Sequence, residues 1–109
     1  MATTYKVLAQ AVSTTSEATL YTTPASTSTV VSTIVIANQD TASATFTIVV
    51  RPSADATTTA KHYIAKTVTV GASDTTALTL GITLAAGDLI RVLASTTTCS
   101  FAAFGSEIA

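Results

Sequence analysis

The sequence predicts an all-β fold, an antiparallel β-sandwich of about eight strands in either a jelly-roll or an immunoglobulin-like arrangement. Three observations predict it. Apolar and polar residues alternate with a period of about two along nearly the whole chain, the spacing of a half-buried strand. Turn signals recur about every 8–12 residues, the rhythm of a sandwich or barrel. Ser and Thr fill about a third of the 109 residues, while charged residues make up only 10%. Thr is β-branched and suits a pleated surface. No stretch asks for a long helix, because the many alanines are interleaved with Thr, Ser and Val.

The strands follow in order. Residues 4–12, TYKVLAQAV, form a first candidate, and residues 18–22 a short second one that Pro24 ends. Proline cannot donate to a ladder, so it marks an edge or a corner. Residues 29–37, TVVSTIVIA, make the strongest strand. Val30, Ile34 and Ile36 are expected on one face and Val31 and Val35 on the other. Apolar character on both faces predicts a central strand covered on both sides, by the chain itself or by another subunit. NQDTAS is a polar turn, in which Asn and Asp bond their own backbone. With ATFTIVVR, residues 44–51, it reads as a hairpin in which Phe46, Ile48 and Val50 share a face.

Pro52 then opens a loop, PSADATTT, the segment expected to be most mobile. KHYIAKTVTV resumes the alternation over residues 61–70. GASD turns into TTALTLGITL, where Leu78, Leu80, Ile82 and Leu84 share a face and Gly81 suggests a bulge or a close backbone approach. AAGD turns the chain into LIRVLAS, and these two strands read as adjoining neighbours. CSFAAFGSEI closes the fold. One domain over residues 1–109 is expected, with residues 1–12 either its first strand or an extended arm that adds a strand to a neighbour's sheet.

Chemistry is sparse. His62 is the only histidine, and it reads as a half-exposed strand residue with no evident partner. The six acidic residues are scattered, and Asp74 and Asp88 sit where turn capping explains them. Cys99 is the only cysteine, which rules out an intrachain disulfide and a cysteine-based zinc site. It reads as a small buried apolar residue. There is no calcium-loop rhythm, nucleophile elbow or phosphate-cradling glycine loop. Trp is absent, which weighs against a sugar-gripping face, although Tyr5, Tyr21 and Tyr63 leave one open. No catalytic, cofactor-binding or metal-binding residue is assigned, and no enzyme is expected.

Five basic residues against six acidic ones, unclustered, argue against nucleic acid. No run of about 18 apolar residues suggests a membrane helix, and the N-terminal residues carry no secretory leader pattern. A formal net charge of -1 leaves little repulsion between copies, and low charge near neutrality promotes association. A homo-oligomer or assembly subunit is therefore expected.

Five marks occur in order along the chain. They are Tyr-x-x-Pro-Ala from Tyr21, Arg51-Pro52, Lys-His-Tyr-Ile from Lys61, Gly-Ile-Thr-Leu-Ala-Ala-Gly-Asp from Gly81, and Phe-Gly-x-Glu-Ile from Phe104. In this the chain, from about Leu20 to Ile108, resembles small β-sandwich virion structural proteins of tailed bacteriophages. The first 19 residues show no such match. The resemblance implies a structural protein of the particle, made in the host cytoplasm. Its first implication is a capsid decoration (cement) protein at the particle surface, often trimeric, binding between subunits of the major capsid protein. A tail, neck or fibre-associated protein is the alternative, and a small host-surface-binding module a third. The candidate assembly contacts are Tyr5, Val7, Tyr21, Arg51, His62 and Tyr63.

Overall fold

The computed structural model describes residues 2–109. Eight strands form: β1 (Thr3–Val12), β2 (Ala18–Thr22), β3 (Ser28–Asn38), β4 (Ala44–Arg51), β5 (Tyr63–Val70), β6 (Thr75–Leu84), β7 (Leu89–Ala94) and β8 (Cys99–Ile108). A single 3-10 turn, Ala60–His62, precedes β5. The strands make two four-stranded sheets, sheet I in the order β1-β8-β3-β6 and sheet II in the order β2-β7-β4-β5. Every pairing is antiparallel.

This order separates the two expected arrangements. The chain changes sheet at every connection except β4 to β5, and β8 returns to lie between β1 and β3. That is a jelly roll; an immunoglobulin-like sandwich keeps more of its successive strands in one sheet. Two expected neighbourhoods are corrected by it. NQDTAS does not close a hairpin: β3 lies in sheet I and β4 in sheet II. The AAGD turn likewise carries the chain from β6 in sheet I to β7 in sheet II. A short polar turn is legible in sequence, but whether it joins two strands of one sheet or two sheets depends on which faces they bury.

Between the sheets lies an apolar core. Ile34, Ile36 and Phe101 of sheet I meet Phe46, Ile48 and Ile90 of sheet II, all at most 1% exposed. Cys99 belongs to this core, as its sequence context suggests. Asp74 and Asp88 cap their turns: the Asp74 carboxylate accepts from the Thr75 N–H at 2.8 Å, and that of Asp88 from the Ala85 N–H at 2.9 Å.

A line of irregularities crosses sheet I. The register slips between Val7 and Ala9 of β1, between Val31 and Thr33 of β3, and opposite the latter on β6 between Thr79 and Ile82. Bulges bend a strand and increase its twist. Gly81 takes the left-handed φ of +63° that such a bulge needs. Gly105 is required for space instead: a Cβ there would stand 2.0 Å from the Val30 carbonyl oxygen. The β3 bulge also corrects the face assignment. Val31, Ile34 and Ile36 point inward, and Val30 joins Val35 on the outer side, because the extra residue inverts the alternation at Ser32.

The β4–β5 connection is more ordered than its composition suggests. Lys61 and His62 belong to the 3-10 turn, so β5 starts at Tyr63 rather than Lys61. Residues 3–12 of the expected arm lie here as β1, the edge strand paired with β8.

Candidate functional site

Alternation places one set of side chains from each strand of sheet I on its outer face, and the register aligns them in rows. One row runs Val7, Phe104, Thr33, Thr79; the next runs Gln10, Ala102, Val35, Ala77. The flanking rows start at Tyr5 and Val12. The exposed apolar groups of this face include Tyr5 at 83%, Val12 at 65% and Val7 at 48%. A shallow groove lined by Tyr5, Val30, Ser32, Phe104 and Ser106 runs over the bulge line.

The four strands of sheet I hold two charged residues, Lys6 and Glu107. These pair with each other, Lys6 Nζ standing 2.7 Å from a Glu107 oxygen. The outer face is thus an uncharged surface of Ala, Val, Ser and Thr with Gln10 and two aromatic rings. Apolar groups interspersed with hydroxyls, free of charge at the centre, match the composition of interface cores, which are depleted in charge.

At one end of the sandwich Tyr21 of β2 reaches across to sheet I. Its hydroxyl donates to Glu107 and bonds Thr29 at 2.8 Å. Burial, and then the Glu107 carboxylate, push the Tyr21 phenol up to about 12. The Lys6 ammonium, and then the Tyr21 hydroxyl, hold Glu107 below the usual carboxylate range. This clasp ties β1, β2, β3 and β8 together.

Sheet II presents the opposite outer face. Arg91 of β7 pairs with Glu17 through its Nε and reaches Thr19 at 2.8 Å. Thr58, in the β4–β5 connection, donates to the same Glu17 carboxylate at 2.7 Å and accepts from Arg51 at 3.1 Å. Burial raises the Glu17 pKa, but the Thr58 and Arg91 hydrogen bonds and the charges of Arg91 and Arg51 outweigh it, leaving it lowered. The connection is thereby fastened over sheet II, and Val49, on the outward side of β4, is fully buried.

His62 is not the half-exposed strand residue its neighbours suggest. It is 4% exposed. Its Nδ1 accepts from the Thr59 N–H at 2.9 Å, so the proton sits on Nε2, which donates to Asp55 at 2.8 Å. Asp55 is held below the usual range by that bond first and by Lys61. With Nδ1 already occupied by a backbone donor, the imidazole has no free lone pair for a general base. Among the described residues no three His, Cys, Asp or Glu side chains converge to hold a metal.

The six candidate contacts therefore divide. Tyr5 and Val7 lie open on the sheet I face. Tyr63 is half-buried beneath Lys66, whose ammonium stands 4.7 Å from its ring centre. Arg51 belongs to the sheet II fastening. Tyr21 and His62 are buried, and offer internal bonds rather than surface. Phe104, Val35 and Ala102, not among the candidates, share the open sheet I face with Tyr5 and Val7; the apolar character of both faces of β3 is the signal that points to them.

No protein-family model and no curated protein matches this chain. Among solved structures, it is similar to a chain in the structure of infectious bursal disease virus Gt strain, with a TM-score of 0.50 at 12% identity. The likeness covers 97% of this chain but only 30% of the other, so this chain spans under a third of the length of the one it matches. At that identity the likeness is one of fold.

Proposed function

We propose that this protein is a non-catalytic virion structural subunit that docks through the outer face of sheet I. More finely, we read it as a capsid decoration protein of a tailed bacteriophage, bound between subunits of the major capsid protein on the particle surface. The observation that carries the reading is the bare, uncharged sheet I face beside a sheet II face that the chain covers itself. The ordered marks from Tyr21 to Ile108 support a phage virion protein. The fold likeness to a chain from a virus structure is consistent with a particle role.

The mechanism is mechanical. The sandwich is a rigid block, and burial of apolar area contributes roughly 25 cal/mol per Å². A partner surface must itself be uncharged at the contact, since a charge buried against this face finds no counter-ion. Many weak contacts on one particle reinforce one another when copies are linked.

Co-sedimentation tests it. Purified protein should pellet with empty capsids and stay in solution with isolated tails. Binding to tails alone favours the tail, neck or fibre reading. Binding only to host envelopes favours the host-surface module.

A further inference from the structure

The free edge of β1 is built to receive a strand. Ala2 and Ala109 exchange both main-chain hydrogen bonds, at 2.8 and 2.9 Å. In an antiparallel ladder such pairs alternate with pairs whose N–H and C=O groups point away. The register Thr4 with Glu107 and Lys6 with Gly105 continues the bonded set. The main-chain groups of Thr3, Tyr5 and Val7 therefore face outward, on the terminal strand of sheet I. All five residues from Thr3 to Val7 are exposed.

Natural edges are guarded by shortness, bulges or charge. β2 has five residues. β5 carries Lys66 and a slip at Thr67, whose φ is +54°. β6 is broken in its middle by the Gly81 bulge. The β1 slip lies beyond Val7, so residues 3–7 form an unbroken stretch. Its one charge, Lys6, is folded onto Glu107.

We propose that residues 3–7 pair antiparallel with the same segment of a second copy of this chain, about a two-fold axis at Tyr5. Overlap and charge select the register: within residues 3–7 an axis at Tyr5 pairs all five residues, whereas an axis at Thr4 or Lys6 pairs only three. An axis at Lys6 opposes two ammonium groups. An axis at Tyr5 sets Lys6 against the partner's Thr4 and Thr3 against the partner's Val7, with the two Tyr5 rings side by side. Aromatic cross-strand pairs of this kind are favourable, and like charges directly opposite are not. The contact is isologous and closed. It joins the two copies of sheet I into one continuous sheet and extends the uncharged face. The pairing deepens the assembly reading above and rests on it, but its test reads self-association alone, so its failure leaves capsid binding standing.

Light scattering on a sizing column, from about 10 μM to about 1 mM, the span of weak contacts, should show the mass rising from 11.0 kDa toward twice that value. Tyr5→Pro removes an outward N–H without touching the β1–β8 bonds, and should hold the protein monomeric. If circular dichroism shows that Tyr5→Pro unfolds, Tyr5→Lys, which opposes two cations on the axis, decides instead. Under oxidation Tyr5→Cys should give a disulfide-linked dimer, since directly bonded strand positions lie about 5.5 Å apart, within disulfide reach. Thr4→Cys should crosslink at least tenfold more slowly. A wild-type protein monomeric throughout, a dimer that neither axis variant weakens, or equal crosslinking at both positions overturns the proposal.

Discussion

The two outer faces of this sandwich are made from the same alternating strands, yet only one is left bare. Over sheet II, Glu17 gathers Arg91 and Thr58, Thr58 takes Arg51, and the β4–β5 connection is held there by these bonds. Sheet I has no such cover, and its two charges are paired with each other at one end. A chain with 10% charged residues has few to place. Here they fasten loops and clasp the sheets, so the outer face of sheet I is left to hydroxyls and small apolar groups. The difference teaches that in a chain poor in charge throughout, the placement of the few charges decides which face is left bare.

The largest effect is expected where the bare sheet depends on a missing side chain. Gly105→Ala puts a methyl 2.0 Å from the Val30 carbonyl oxygen. The β3 and β8 backbones must separate, so the loss should be about 3 kcal/mol or more, as for overpacking in a tight core. Gly81→Ala meets nothing within 4 Å but keeps a left-handed φ, and should cost about 1 kcal/mol. Urea unfolding of both variants separates space from conformation. Equal losses would mean that the close approach at Gly105 is not what shapes sheet I.

Next in size is removal of the sheet II cover. Glu17→Gln takes the charge from a carboxylate that bonds Arg91 and Thr58, both partly shielded. The expected cost is about 1–2 kcal/mol. Amide exchange should quicken in residues 52–59 while the amides of β3 and β8 keep their protection. Uniform acceleration in both sheets would erase the contrast between a fastened face and a bare one.

Titration probes the same contrast from both ends. Glu17, Asp55 and Glu107 all have lowered pKa values in the folded chain. Their contribution is present above the ordinary carboxylate range and is lost as pH falls through it and below. Tyr21 has the opposite sign. Its pKa is raised from 10.0 to about 12, so its contribution is complete below pH 10 and lost as pH rises toward 12. Thermal melts across pH should show both legs. Tyr21→Phe should flatten the alkaline leg and shrink only the Glu107 part of the acid leg, leaving that of Glu17 and Asp55, and a Phe variant with an unchanged alkaline leg would show that the clasp does not carry it.

The strands were legible in the sequence because burial on one side imposes alternation: β2, β4, β6 and β8 match their expected limits, and β1 and β3 lie within a residue of theirs at each end. Their pairing was not legible. NQDTAS reads the same whether it turns within a sheet or between sheets. Bulges were half legible. Gly81 announced one, whereas Ser32, an ordinary strand residue, hid the inversion that moved Val30 outward. His62 misled because a 3-10 turn of three residues leaves no periodicity to read, and its Asp55 partner comes from an apparent loop. The charge asymmetry between sheets needed the topology, since Lys6 and Glu107 lie at opposite ends of the chain.

The smallest effect on stability is the most telling for function. Ala102→Glu places a carboxylate in the middle of the sheet I face, half-buried between Gln10 and Val35. Water still reaches that face in the free protein, so the stability change should stay near 0.5 kcal/mol. In a docked state the same carboxylate is stripped of water with no cation on its own face to meet it, since Lys6 is paired with Glu107, and the desolvation cost falls wholly on binding. Capsid co-sedimentation should therefore be lost while the melting curve hardly moves. A matching charge on sheet II, Leu93→Glu, lies on the face bearing Arg51 and Arg91 and should leave sedimentation intact. If Leu93→Glu abolishes binding and Ala102→Glu does not, the docking face is sheet II and the bare sheet faces solvent.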